Sequence, residues 1–224
     1  MTSLALSYER YRVGDEYEWA MALGSTDLPP ILFLPPLFEE LNRTRALIAA
    51  TMRGVATGGY CCWLPDLPGT GESERRLEDV TWDEMRGAAR AIAVLAVKTG
   101  PIQAAVSLRG GALLDDAVEA RCRWRLAPVG GAALLRDLDR SGLAGGGSGK
   151  AGYRPGPALS GPLSIAEPRD LDRTRTLRLA SDRGVADRKV AGSPLWRRSE
   201  PENAPDLAAD LAADIIDWIG RCDV

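Results

Sequence analysis

The stretch Ile102-Gln-Ala-Ala-Val-Ser-Leu-Arg-Gly-Gly-Ala112 decides how this chain is read, because a run of small and apolar residues breaks into two glycines and then into the helix-forming Ala-Leu-Leu. Such a run predicts a buried strand, a sharp turn and a helix over residues 110–120. Within it, Ser107-Leu108-Arg109-Gly110-Gly111 has the small-x-X-x-small layout of the G-x-S-x-G nucleophile elbow, in which small residues let strand and helix approach around a strained central residue. The central residue is Arg109. A guanidinium stays protonated at physiological pH, so it neither attacks a carbonyl carbon nor is activated by a neighbouring base. The chain contains no histidine, which removes the usual general base of that chemistry from every position.

On the N-terminal side, large and polar residues alternate on both sides of Val13-Gly14-Asp15, which predicts a β-hairpin over residues 4–23. The apolar run Ile31-Leu-Phe-Leu34, stopped by Pro35-Pro36, reads as a central strand. Leu41, Leu47, Ile48, Met52 and Val55 then fall near helical spacing over residues 39–57, before Gly58-Gly59. A second buried strand follows at residues 60–64. Thr81-Trp-Asp-Glu begins like a capping box and leads a helix as far as Gly100. Beyond the elbow, residues 122–129 read as a strand, 132–138 as a helix and 176–180 as another strand. Leu207, Leu211, Ile215, Trp218 and Ile219 form one stripe on a last helix that Asn203 or Asp206 can cap. Strands alternating with helices predict an α/β fold, a doubly wound and mostly parallel sheet covered on both faces.

Composition narrows the function classes. With 224 residues, 45% hydrophobic and 26% charged, the chain has the make-up of one globular α/β domain spanning residues 1–224. No run approaches the roughly 20 apolar residues of a membrane span. The start Met1-Thr-Ser-Leu-Ala-Leu-Ser-Tyr-Glu-Arg has no basic segment followed by an apolar core, so a cytoplasmic location is expected. The four cysteines have no metal-ligand spacing, and Cys61 and Cys62 read as reduced core thiols rather than reactive ones. A net charge of −3 gives no general attraction for nucleic acid. Ser141-Gly-Leu-Ala-Gly-Gly-Gly-Ser-Gly-Lys150 departs from the phosphate-loop pattern at Ala144 and Ala151, and reads as a surface loop. Residues 139–170 are therefore expected to be an irregular loop or reduced lid, with neither cofactor nor metal implied.

Pro65-Asp66-Leu67-Pro68-Gly69-Thr70-Gly71-Glu72-Ser73 carries the D-x-P-G-x-G-x-S loop that, after a strand, resembles the turn loop of α/β-hydrolases. Residues 31–36, this loop and the elbow come in that superfamily's order of oxyanion loop, turn loop and nucleophile turn. More closely, Leu34-Pro-Pro-Leu-Phe-Glu-Glu-Leu-Asn-Arg-Thr-Arg45, the Leu-Arg-x-Gly elbow, Trp124-Arg-Leu-Ala-Pro-Val-Gly-Gly-Ala-Ala133 and Gly192-Ser-Pro-Leu-Trp196 with Glu200 resemble the hydrolase-like proteins associated with exosortase A. That resemblance implies an α/β-hydrolase fold and a bacterial setting of exopolysaccharide and protein sorting. It names no substrate.

Carried over position by position, the resemblance puts Arg109 in the nucleophile place and Asp182 in the acid place. The histidine place falls near Pro194, Leu195 or Trp196, none of which shuttles a proton. Pro35-Pro36 stands where His-Gly is usual, but the Leu37 and Gly110 N–H groups could still converge on an anion. Two functions follow. In the first, a degenerate hydrolase without a Ser-His-Asp triad binds a small anionic or acyl ligand, or a partner, through Arg109, Gly110, Leu37, Glu39, Glu40 and Asp182. In the alternative, a genuine esterase- or thioesterase-like hydrolase uses Glu39, Glu40 or Asp182 as base for a water. Each residue also has a plainer role: Arg109 as a structural arginine paired with Glu39 or Glu40, those acids as a solvated helix start, and Asp182 as a turn residue. Arg121, Arg123 and Arg125 read as a solvated strand edge. Oligomeric state is left open.

Overall fold

A computed structural model describes residues 4–97, 100–144, 152–198 and 200–222. In chain order it contains β1 (Leu6–Val13), β2 (Glu16–Leu23), β3 (Pro30–Leu34), α1 (Glu39–Thr57), β4 (Cys61–Pro65), α2 (Trp82–Ala96) and β5 (Ala104–Leu108). The rest comprises β6 (Cys122–Leu126), α3 (Gly131–Ala144), α4 (Pro157–Ser164), β7 (Thr174–Leu179), β8 (Arg188–Val190) and α5 (Pro205–Cys222). The strands form one sheet in the order β1-β2-β4-β3-β5-β6-β7-β8. β1, β2 and β4 pair antiparallel, and every other neighbour pair is parallel.

Alternation along the central strands sorts their side chains into two cores. Ile31 and Phe33 of β3 join Val106, Trp124 and the apolar stripes of α1 and α5 on one face. Leu32 and Leu34 join Met85 and Ile92 of α2, Leu134 of α3 and Leu159 and Leu163 of α4 on the other. Both faces of the parallel strands are thus covered, as continuous apolar runs require. Helices α1 and α5 cross so closely that a Cβ on Gly54 would lie 2.6 Å from the Ala212 Cβ. Helix α2 begins with the full capping box, Thr81 accepting from the Glu84 N–H while Glu84 accepts from the Thr81 N–H. In the loop after β4, Gly71 takes φ 57° where a Cβ would collide with the Asp66 carboxylate. The Ser73 hydroxyl accepts from the Gly69 N–H and donates to Glu18 Oε1 at 3.0 Å, which explains the glycine and serine positions of that motif.

Three expectations need correction. Residues 110–120 are not an α-helix: two short 3-10 turns, Arg109–Leu113 and Asp115–Ala117, replace it. Two consecutive glycines favour helix poorly, and Asp115 is drawn inward to accept from the Ser107 hydroxyl at 2.9 Å and from Arg125 at 2.7 and 2.8 Å. The arginines of β6 do not line a solvated edge, since β6 lies between β5 and β7. Arg125 is buried against Asp115, and Arg123 donates to the Asp115 and Val118 carbonyls, the first of which also accepts from the Val118 N–H in the 3-10 turn. Within residues 139–170, α3 continues to Ala144 and α4 forms a packed helix whose Leu159 and Leu163 are fully buried, so this part is not irregular throughout. Residues 145–150 of the glycine-rich run lie outside the described residues. No helix among the described residues is long and apolar enough to cross a membrane.

Candidate functional site

β4 lies on one side of β3 and β5 on the other, so the winding direction reverses there and a crevice opens beyond the carboxyl ends of β3 and β5. Two connections meet in it, residues 35–38 after β3 and the turn after β5. Arg109 follows β5 directly with φ 51°, and Phe38 on the facing connection has φ 59°. Such left-handed backbone costs a non-glycine residue about 1–3 kcal/mol and persists only where the surroundings impose it. The elbow is therefore strained at its central residue. Gly111 supplies the close approach: a Cβ there would collide with Leu34 O and come within 2.7 Å of Pro35 O. Gly110 faces Leu37, whose Cγ would lie 3.1 Å from an added Cβ.

Arg109 is only 6% exposed, and its guanidinium is held on every side. Its Nε–H donates to both Glu40 oxygens at 3.2 Å, and Nη2 donates to Glu40 Oε1 at 3.0 Å. Nη1 donates to the Ala127 carbonyl at 3.2 Å, and Asp137 Oδ2 lies 3.6 Å from Nη2. The Trp196 ring covers its face, 4.8 Å from the guanidinium carbon. Glu40 is itself buried at 7% exposure. Burial pushes its carboxyl above the ordinary value, with the Arg109 charge opposing and Asp137 adding to the rise.

The structure brings Arg109, Leu37, Gly110, Glu39 and Glu40 into one region and sets Asp182 across a cavity from Arg109. This cavity, about 280 Å³, is lined by Arg109, Asp182, Arg183, Pro194, Trp196 and Arg197. Residues expected at the elbow, at the acid place and near the histidine place, Arg109, Asp182, Pro194 and Trp196, thus line one space. Every carboxylate considered as a base is already engaged. Glu39 accepts from Arg43 at 3.3 Å and Glu40 from Arg109. Asp182 accepts from the Gly184 N–H at 2.8 Å and from Arg178 at 2.9 Å. The Gly184 N–H, then Arg178, hold the Asp182 carboxyl below its ordinary value against the opposing effect of burial. A larger cleft of about 450 Å³ opens beside it between the start of α1, α3 and the turn at Trp196.

Sequence reasoning missed two partners of Arg109, Asp137 and the Ala127 carbonyl. Asp137 stands between Leu134 and Leu138, both buried, and a charge beside a helix's apolar stripe is a weak signal that it faces the fold. The φ of 46° at Ala127, which turns its carbonyl toward the elbow, has no signal in an alanine. The same stripe argument identifies Asp214 on α5, one residue before Ile215, and it is buried. It accepts from Trp124 Nε1 at 2.8 Å, Arg175 at 2.7 and 2.9 Å and Arg188 at 2.8 Å. These bonds overcome burial and bring its carboxyl down to about 2.

No protein-family model matches the chain, and no curated protein matches it significantly. Solved structures do. A haloalkane dehalogenase loop variant from Bradyrhizobium elkanii aligns over 98% of this chain and 98% of its own, with a TM-score of 0.65 and 14% identity. A protein from Agrobacterium vitis S4, whose description places it provisionally among the hydrolases, aligns over 97% and 100%, with TM-score 0.61 and 14% identity. An AqdC variant, described in complex with its substrate, the Pseudomonas quinolone signal, aligns over 96% and 100%, with TM-score 0.63 and 14% identity. The chain therefore has the α/β-hydrolase fold. At these identities the likeness fixes architecture and not chemistry.

Proposed function

We propose that this chain is a degenerate α/β-hydrolase that performs no hydrolytic step and binds a small anionic or acyl ligand in the crevice above the elbow. The observation that carries the reading is the closed set Glu40–Arg109–Trp196: the nucleophile place holds a cation already neutralised by an acid and covered by an indole. A nucleophile, a free base and a proton shuttle are all needed for acyl transfer through this site, and each place is filled by a group unfit for its step. The carboxylate-based hydrolase finds less support, because Glu39, Glu40 and Asp182 are each committed to an arginine. We read residues 1–224 as one domain with α4 and its approach as a reduced lid. From the resemblance at residues 34–45 we place it among the exosortase A-associated type, in a bacterial cytoplasm. Four free and buried thiols suit such a reducing compartment.

The test is incubation with a serine-directed fluorophosphonate followed by mass detection, alongside turnover of p-nitrophenyl esters. No labelled serine and no turnover above an Asp182→Asn, Glu40→Gln control are expected. Labelling at any serine, or ester turnover lost in that control, overturns the reading.

A further inference from the structure

Charge around the crevice does not balance, and the excess has a definite place. Among the residues lining the 450 Å³ cleft, Glu39, Glu40 and Asp137 are each matched to an arginine: Arg43 at 3.3 Å, Arg109 at 3.0 Å and Arg140 at 2.7 Å. Arg197 lines the same cleft, is exposed, and has no ion pair among the described residues. Arg197 and Trp196 also line the adjoining 280 Å³ cavity, where Asp182 is matched to Arg178 and Arg183 is left without an ion pair among the described residues. Two guanidinium groups without an ion pair among the described residues therefore line the smaller cavity, and one of them, Arg197, lines the larger cleft as well. The cleft beside them is walled by Leu37, Phe38, Leu134, Leu138 and Trp196, and its volume lies within the range of small-molecule sites.

We infer that the ligand is an amphiphilic anion, a medium-length apolar chain lying against Leu37, Leu134 and Leu138 with a carboxylate head held by Arg197 and Arg183. The inference rests on the ligand-binding reading above and sharpens it in one respect: Arg109, whose donors are already taken, is not the anchor. A guanidinium matches a carboxylate through paired N–H donors, and Arg197 and Arg183 have donors free for it. An apolar tail gains from leaving water only if the wall is apolar, which the leucines and Trp196 provide. Neither half of the site suffices alone, so head and tail must be joined.

Calorimetric titration of the full chain with octanoate, octanol and inorganic phosphate tests this. Octanoate is expected to bind at least tenfold more tightly than octanol or phosphate. Arg197→Gln is expected to weaken octanoate at least tenfold and leave octanol unchanged, and Arg183→Gln to weaken octanoate by a smaller factor; thermal melts check that both exposed-site variants stay folded. Octanoate no better than octanol, no octanoate binding, or full affinity in Arg197→Gln overturns the inference. These failures leave the non-hydrolytic reading standing, whereas turnover of p-nitrophenyl octanoate overturns that reading instead.

Discussion

Removing Arg109 tests whether the elbow cation serves the fold. Arg109→Ala takes away three donor contacts to Glu40 and leaves a carboxylate at 7% exposure with Asp137 nearby and its main counter-charge gone. Breaking a buried pair from one side costs about 3 to 5 kcal/mol, so the variant is expected in that range at pH 7. The cost depends on pH in a definite direction. Burial already raises the Glu40 carboxyl above its ordinary value, and without Arg109 the rise is larger. A carboxyl whose folded pKa is raised contributes its stability below the unfolded value and loses it as pH rises through the folded one. Arg109→Ala should therefore be less damaging at pH 5 than at pH 7, with one proton limiting the change to about 1.4 kcal/mol per pH unit. Glu40→Gln strands a guanidinium that cannot release its proton and removes the carboxyl whose raised value makes wild type lose stability as pH rises, so its loss should shrink modestly from pH 5 to pH 7. It should also be smaller, because Ala127 O, Asp137 and Trp196 remain. Arg109→Met with Glu40→Leu replaces the pair by apolar groups and should fall within about 1 kcal/mol of wild type, giving a strong coupling in the double-mutant cycle. Urea unfolding at pH 5, 6 and 7 supplies every value. A loss under about 1 kcal/mol for Arg109→Ala with no pH dependence, or additive single and double variants, refutes the reasoning.

Gly111→Ala forces a methyl onto the Leu34 and Pro35 carbonyls, and should destabilise by about 3 kcal/mol, at the upper end of overpacking, by the same unfolding measurement. Asp214, depressed to about 2, contributes stability that is present above its unfolded value and lost as pH falls through about 4 to 2. Asp214→Ala should cost about 3 kcal/mol at pH 7 by stranding Arg175 and the Trp124 N–H, and should flatten the acid limb of a circular-dichroism titration. Burial pushes the Cys61 thiol up to about 11 and raises Cys62 further, so iodoacetamide at pH 8 should modify neither until the chain unfolds; mass detection of native labelling contradicts this.

The parallel sheet and most of its elements were legible because their signals are local. The apolar runs of β3 and β4, the stripe on α1 and the Thr81 capping box depend on residues within one or two turns of each other. The segment after the elbow was not legible, because its conformation is settled by Arg125 and Arg123, which arrive from the next strand to satisfy it. Glu40 could be nominated as a partner for Arg109, since the oxyanion loop borders the elbow in this fold. The parts played by Asp137 and the Ala127 carbonyl rest on where α3 and β6 come to lie, which spacing along the chain does not encode. The surplus of Arg197 likewise emerges only when every neighbouring acid is assigned its partner.

The clasp of Glu40, Arg109 and Trp196 has a consequence for how such a site can change. A serine at position 109 meets an indole instead of a base and leaves Glu40 buried without its cation; a histidine at 196 meets a guanidinium and loses the ring that covers it. Glutamine at 40 frees nothing to react. Each single exchange toward acyl chemistry is therefore expected to lower stability before any rate appears. The three residues come from distant parts of the chain but touch one another, so exchanging one should alter the cost of exchanging the next.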